Sequence, residues 1–357
     1  MGVGRIRVVV GGQYGSEAKG AVAGHLGRDL GDGLAVRVNG PNAGHCVVDG
    51  RGARWALRCV PVAAVTNPYA NLAIAAGSEV DLEVLASEIE ALEAGGHQIR
   101  HRLTIDPAAT ILDPEHRARE VADGLNARLG STSKGIGAAR VDRIWRTADT
   151  VRDRVSAFKG IGEIGDVASA IRDVLRAGGT VDLEGSQGYG LGLHTPYYPY
   201  CTSADCRAVD VMAAAGVSPW APYVDLMRTE IWVVFRTFPI RVAGNSGPMV
   251  AETSWQALNL PEEMTTVTKR VRRVGGWDAA LAYQALLANG GPAPWVCVAL
   301  TMVDQISPEA TGVTIWEQLP PDAREWVERI GRELNSKVQL IGTSDRSMVD
   351  RRPAVDS

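Results

Sequence analysis

The sequence predicts an α/β fold with a mostly parallel central sheet flanked by helices. Three observations carry this. Short apolar runs of strand character recur along the chain, the first over residues 5–10. Stretches with apolar residues at helical spacing alternate with them. Glycine pairs punctuate the alternation, at Gly11-Gly12, Gly95-Gly96 and Gly178-Gly179. Strands alternating with helices favour parallel pairing through βαβ units.

Residues 5–10 alternate and then run apolar into Gly11-Gly12, the pattern of a buried strand feeding a glycine loop. A helix is predicted over 21–30, and strands over 35–38 and 71–76. Residues 81–94 are predicted helical because Leu82, Leu85, Ile89 and Leu92 fall at helical spacing before Gly95-Gly96 stops the run. Further helices are predicted over 115–129 and 164–177, the second stopped by Gly178-Gly179. Residues 180–183 are a predicted strand running into Glu184-Gly185-Ser186-Gln187-Gly188. Strands follow over 231–236, 295–300 and 338–341. A helix over 277–289 precedes the middle one, and another over 321–334 precedes the last. No repeat or linker divides the 357 residues, so the expectation is one domain with insertions and a frayed polar tail over 344–357.

The formal net charge of −4 gives no global reason to bind nucleic acid or a membrane surface. No apolar run is long enough to span a bilayer, and residues 1–10 do not read as a signal peptide. The five cysteines are odd in number and contain no CxxC pair, which favours reduced thiols over a disulfide framework or structural zinc. The expected location is the cytoplasm, of a host cell if the gene is viral.

Two loops carry the chemistry. Residues 11–20 read Gly-Gly-Gln-Tyr-Gly-Ser-Glu-Ala-Lys-Gly, placed between a strand and a helix. Backbone N–H groups and a helix N-terminus there suit phosphate, with Lys19 as a point charge. The pattern is not a P-loop, because glycine follows the lysine. Residues 37–48 place His45 in a short polar loop beside Asn42 and Gly44, where an acid catalyst or phosphate contact is at home.

Gly12-Gln13-Tyr14-Gly15-Ser16-Glu17-Ala18-Lys19-Gly20 and Asn42-Ala43-Gly44-His45-Cys46 resemble the two signature loops of the adenylosuccinate synthetase family. The likeness continues in order through residues 130–137, Arg146, 184–188, 198–203, 241–248 and the basic run 268–273. The resemblance implies the family's P-loop-related fold and a ligase that joins L-aspartate to a purine nucleotide. In that family the purine 6-oxygen is phosphorylated from a triphosphate, and the amine of aspartate then displaces the phosphate. It implies Ser16, Lys19, His45 and Gln187 as the catalytic positions. The purine nucleotide is expected at Ser16, Asn42, Ser131, Thr132, Gln187, Thr202 and Arg270, with Arg146 reaching in across a homodimer. The triphosphate is expected at Gly15, Ser16, Glu17, Ala18, Lys19, Gly20, Gly44, His45, Cys46, Asp304 and Gly342, and Mg²⁺ at Ser16 and Gly44. Val267, Thr268, Arg270 and Arg272 are the expected aspartate site, since guanidinium pairs bidentately with carboxylate.

Three departures from the family matter. Ser16 stands where the family has its catalytic aspartate, and a hydroxyl is neither a base near neutrality without a partner nor a good ligand for a hard cation. The substitution resembles the phage branch that joins aspartate to dGMP, the N6-succino-2-amino-2′-deoxyadenylate synthases. Met302 replaces a lysine of the family's guanine-reading motif, which favours ATP or dATP over GTP. Ala18 replaces a loop glycine, implying a backbone that does not need glycine's freedom there, and Cys46 replaces a threonine. An ordinary synthetase acting on IMP with GTP, and a nucleotide-binding protein without chemistry, are the alternatives.

Overall fold

The structure is a computed structural model and describes residues 4–265 and 270–353. Its centre is a sheet of ten strands among the described residues: β1 (Arg5–Gly11), β2 (Leu34–Arg37), β3 (Asn71–Ile74), β4 (Leu103–Ile105), β5 (Glu163–Ile164), β6 (Thr180–Gly188), β7 (Glu230–Arg236), β8 (Val296–Thr301), β9 (Val338–Gly342) and β10 (Met348–Asp350). The order is β10-β9-β8-β7-β1-β6-β2-β3-β4-β5. All these pairs are parallel except β9 with β10.

β1 sits in the middle, with Val8 opposite Leu183 of β6 and Ile231 of β7. Its side chains feed two cores. Val8 and Val10 face one, with Leu183, Val233 and Phe235. Val9 faces the other, with Trp232 and Val234. Burial on both faces explains why these strands read as continuous apolar runs. Because the strands are parallel, the carboxyl ends of β1, β2, β6, β7 and β8 open on one edge, the usual place for a ligand crevice in an open α/β sheet.

The first helix is α1 (Lys19–Gly27), which starts two residues before the predicted 21 and gives way to turns at 28–30. The helix predicted over 115–129 is broken into α2 (Pro114–Ala122) and α3 (Leu125–Leu129). Gly124, with φ 63°, turns the chain between them. In the stretch predicted helical over 164–177, Glu163–Ile164 pairs as β5, and the helix is α4 (Val167–Arg176), capped by Asp166 accepting from Ser169 N. The tail expected over 344–357 includes a short strand. Met348–Asp350 pairs with β9, and Arg352 donates to Asp350 and Asp29. Among the described residues no helix is long and apolar enough to cross a membrane. Sequence reading did not anticipate helix Ile136–Trp145, strand Arg54–Leu57 that pairs with His45–Val48, or the small antiparallel sheet of Ile240–Arg241, Glu252–Thr253 and Arg273–Gly275. The last of these flanks the stretch that carries Arg270 and Arg272.

Candidate functional site

The loop after β1 is built around a buried carboxylate. Glu17 is fully buried and accepts from Gln13 N at 3.1 Å, Gly15 N at 2.8 Å and Lys19 Nζ at 2.6 Å. Gln13 in turn clasps the backbone of Arg236, donating to its oxygen and accepting from its N–H. Thr301 Oγ1 at the end of β8 donates to Glu17 O at 3.0 Å. The loop is therefore fixed before any ligand arrives. Glu17 serves from beneath it, while Gly15, Ser16, Ala18, Lys19 and Gly20 line the cleft above. Ala18 has φ 58° and Ser16 φ 60°. The expectation that Ala18 needs none of glycine's freedom is thus overturned: it holds a left-handed conformation that costs an L-residue about 1 kcal/mol or more.

His45 opens the strand that returns over α1, and it is buried. Its Nδ1 lies 2.5 Å from Glu184 Oε1 in the middle of β6, and Arg37 Nη1 lies 2.8 Å from the same oxygen. Val62 N donates to the other carboxylate oxygen at 2.9 Å. Burial, the largest single cause, pushes Glu184 up, but Arg37, His45 and the Val62 N–H together outweigh it and the carboxyl lies below its ordinary value. An anionic Glu184 accepts a hydrogen bond from Nδ1–H of His45, which favours that tautomer. Arg37 Nη1 lies beside the same ring, 2.6 Å from Nδ1 and 3.2 Å from Nε2. Burial and then Arg37 lower His45 to about 4, so in the ligand-free protein it is neutral near pH 7. A bound polyanion at Lys19 would raise that value.

The facing wall comes from residues 130–137. Glu120 accepts from Gly135 N and Gly137 N, both at 2.8 Å, and holds Ser131 and Thr132 at the cleft. Asn42, Gln187 and Thr202 line it as well, Gln187 with φ 64°. Arg146 does not. It caps the helix Ile136–Trp145 in a left-handed conformation and is exposed beside exposed Ile144 and Trp145.

A third wall carries Arg270 and Arg272. Met264 bridges Val271, and Thr265 N donates to Arg270 O at 2.8 Å, so a narrow hairpin presents both guanidinium groups to the cleft. Val267 and Thr268 lie outside the described residues. Gly44, Cys46, Asp304 and Gly342 complete the predicted set at the cleft, with Met302 beside Asp304 and the Asp304 carboxyl pushed up by burial.

The cleft holds about 820 Å³. Among its described lining residues, seven lysines and arginines stand against four carboxylates, which supplies the local positive field that the net charge of the chain does not. Sequence reading did not single out seven of these eleven residues: Arg54, Glu120, Arg128, Lys134, Arg241, Glu263 and Asp345. Lys134 lies inside the 130–137 motif and Arg241 begins the 241–248 motif, so both were within reach. Glu263 sits in Pro261-Glu262-Glu263, which reads as a solvated turn, and nothing marked it. Among the described residues no group of three His, Cys, Asp or Glu is arranged to hold a metal. Ser16 and the Gly44 carbonyl suit only a Mg²⁺ whose other ligands are phosphate oxygens and water.

The adenylosuccinate synthetase family profile matches residues 8–159 and 157–311 of the chain. The adenylosuccinate synthetase of Pyrococcus sp. (strain ST700) is 36% identical over 355 residues, covering 98% of this chain and 99% of that one. That of Archaeoglobus fulgidus is 34% identical over 351 residues, covering 97% and 98%. Among solved structures, the succinoaminodeoxyadenylate synthetase of cyanophage S-2L, bound to dGMP and to dATP as an energy donor, superposes with a TM-score of 0.80 at 29% identity, covering 98% of this chain and 96% of that one. The fully ligated adenylosuccinate synthetase of Plasmodium falciparum gives 0.80 at 18% identity, covering 98% and 100%, a likeness of fold.

Proposed function

This chain belongs to the adenylosuccinate synthetase family, and on that premise we propose that it joins L-aspartate to dGMP with ATP or dATP, giving N6-succino-2-amino-2′-deoxyadenylate. One observation carries the choice of substrate: an exposed serine, Ser16, lines the cleft where the family places a catalytic aspartate. A carboxylate facing guanine would accept from both N1–H and the 2-amino group. That would stabilise the ground state as much as any later state and so would not speed reaction. Serine leaves room for the 2-amino group and removes that trap. The cyanophage synthetase, solved with dGMP and dATP, supports the same reading.

The residues divide the work as follows. Lys19 and the N–H groups of residues 15–20 face the phosphoryl group as it moves, a mainly electrostatic task. Mg²⁺, carried in with the triphosphate, neutralises phosphate charge when bound. Gln187 orients the base. His45 is neutral until the phosphates arrive, and then donates a hydrogen bond to the oxygen at position 6 as it is phosphorylated, and later to the phosphate as it leaves. The guanine N1 proton passes to water in the cleft beside Ser16 as that oxygen is phosphorylated. Ser131, Thr132, Asn42 and Thr202 hold the monophosphate, and Arg270 and Arg272 take the two carboxylates of aspartate. Met302 beside Asp304 gives the triphosphate base an apolar platform and an acceptor suited to the adenine amino group. Arg146, exposed next to Ile144 and Trp145, acts in a homodimer from the neighbouring subunit.

A second reading, ordinary synthesis from IMP and GTP, is favoured by the archaeal relatives at 36% identity. The deciding experiment supplies aspartate, Mg²⁺ and ATP with either dGMP or IMP, follows phosphate release and weighs the product. Turnover with dGMP and little with IMP supports the proposal. Turnover with IMP alone overturns it in favour of the second reading.

A further inference from the structure

Arg270 and Arg272 answer only two of the three charges on aspartate. Its α-ammonium must come to purine C6 before the carbon–nitrogen bond forms, and a subsite of guanidinium groups alone would repel it. Four described carboxylates line the cleft: Glu120, Glu263, Asp304 and Asp345. Glu120 is occupied by Gly135 N and Gly137 N in the monophosphate wall. Asp304 and Asp345 belong to the turns after β8 and β9. Glu263 alone belongs to the hairpin that carries the two arginines, and its backbone oxygen accepts from Arg272 N at 2.8 Å.

The Glu263 side chain is 26% exposed, so part of it faces the cleft. The rest is held from behind. Arg236, fully buried at the end of β7, donates Nη2 to Oε1 at 2.5 Å and Nη1 to Oε2 at 3.0 Å, and Gln305 Nε2 donates to Oε1 at 3.0 Å. Among the described residues Oε2 has one donor, Arg236 Nη1. Arg236 Nη1 also lies 3.4 Å from Ser16 O, so one guanidinium ties this carboxylate to the phosphate loop.

We propose that Glu263 receives the α-ammonium of the incoming amino acid, completing with Arg270 and Arg272 a three-point reader of an α-amino dicarboxylate. The proposal rests on the ligase reading above. Arg236 is its positioning residue. It keeps Glu263 ionised and fixes the height of the amine relative to the loop that holds the phosphoryl group. A dicarboxylate without the amine meets a repelling charge at the same point.

The test compares aspartate with succinate, which has both carboxylates and no ammonium. In wild type, Glu263→Gln and Glu263→Asp, KM is measured for aspartate and for the monophosphate, and Ki for succinate against aspartate. The expected result for Glu263→Gln is an aspartate KM raised at least about tenfold, with the monophosphate KM within about twofold and succinate bound as well as before or more tightly. Glu263→Asp keeps a charge beside Arg236 and should fall between. Equal weakening of aspartate and succinate means that Glu263 only supports Arg272, and overturns the proposal, as does an unchanged aspartate KM. If Glu263→Gln does not fold, the same comparison in Glu263→Asp decides. A wild type that forms no ligated product with any purine monophosphate overturns the ligase reading and this proposal with it. A wild type that ligates while its variants lose both acids equally overturns the proposal alone.

Discussion

Lys19 Nζ lies 2.6 Å from Glu17 Oε2, two residues away, with both side chains buried. The carboxylate also collects two loop N–H groups, so this pair sets the shape of the phosphate loop and the position of its cation together. Removing one partner leaves an uncompensated buried charge, which typically costs about 3–5 kcal/mol. Glu17→Gln should therefore unfold at a lower urea concentration than wild type and lose most ligase activity even where folded. Lys19→Met should lose activity as fully. Urea unfolding followed by fluorescence, beside phosphate release, reads both effects. A Glu17→Gln protein with wild-type turnover would show that Glu17 does not shape the site.

Ser16 invites the reverse substitution. Ser16→Asp puts a carboxylate where guanine N1–H and the 2-amino group would meet it. Turnover of dGMP should fall by about tenfold or more while any turnover of IMP rises. The measure is the ratio of kcat/KM for the two monophosphates. An unchanged ratio would mean that substrate choice is made elsewhere in the cleft.

His45 carries a pH signature. Its folded value of about 4 lies below the ordinary 6.5, burial being the first cause. The unfolded chain therefore binds more protons between those values, so stability falls as pH drops from about 6.5 to about 4 and levels off below. For a fully buried imidazole the contribution over that window is about 3 kcal/mol at most. Carboxylates titrate in the same range, so the difference between wild type and His45→Gln is the useful quantity. The variant should lose less urea resistance than wild type between pH 7 and about pH 4.5. Parallel losses would show that His45 is not held neutral by the fold.

Much of this was legible in the sequence, for physical reasons. β1, β7 and β8 are buried on both faces, so their apolar runs stand out, and glycine pairs mark where the chain leaves the sheet. The place of the glycine loop and of His45 at one cleft was readable because their residue order is specific. The helix break at Gly124 was not, since a lone glycine inside a helical pattern does not tell whether φ turns positive. Ala18 was misread for the same kind of reason: neighbours enforce its left-handed φ, and composition does not record neighbours. Glu263 was invisible because its partner, Arg236, is 27 residues earlier in the chain and meets it only in the folded structure.

Gly20 offers a final test of how closely the two chemical loops are packed. A Cβ there would lie 2.6 Å from Cys46 O, 2.9 Å from His45 Cβ and 3.0 Å from Cys46 N. Two of these are backbone atoms of a paired strand, which cannot swing aside as a side-chain tip can. Gly20→Ala gains helix propensity worth about 1 kcal/mol, but overpacking against backbone typically costs about 1–3 kcal/mol, and relief requires moving the strand that carries His45. Gly24, one turn later in α1, is the control: its Cβ would press on Val47 Cγ2 at 2.7 Å and Thr66 Cγ2 at 3.3 Å, both side-chain methyls. Gly24→Ala should lower stability with kcat kept within about threefold, while Gly20→Ala should lower kcat by about tenfold or more in the folded protein. The comparison is made at a temperature where both variants show native near-ultraviolet circular dichroism. Equal kcat values for the two would mean that His45 does not depend on the close approach of α1 to its strand.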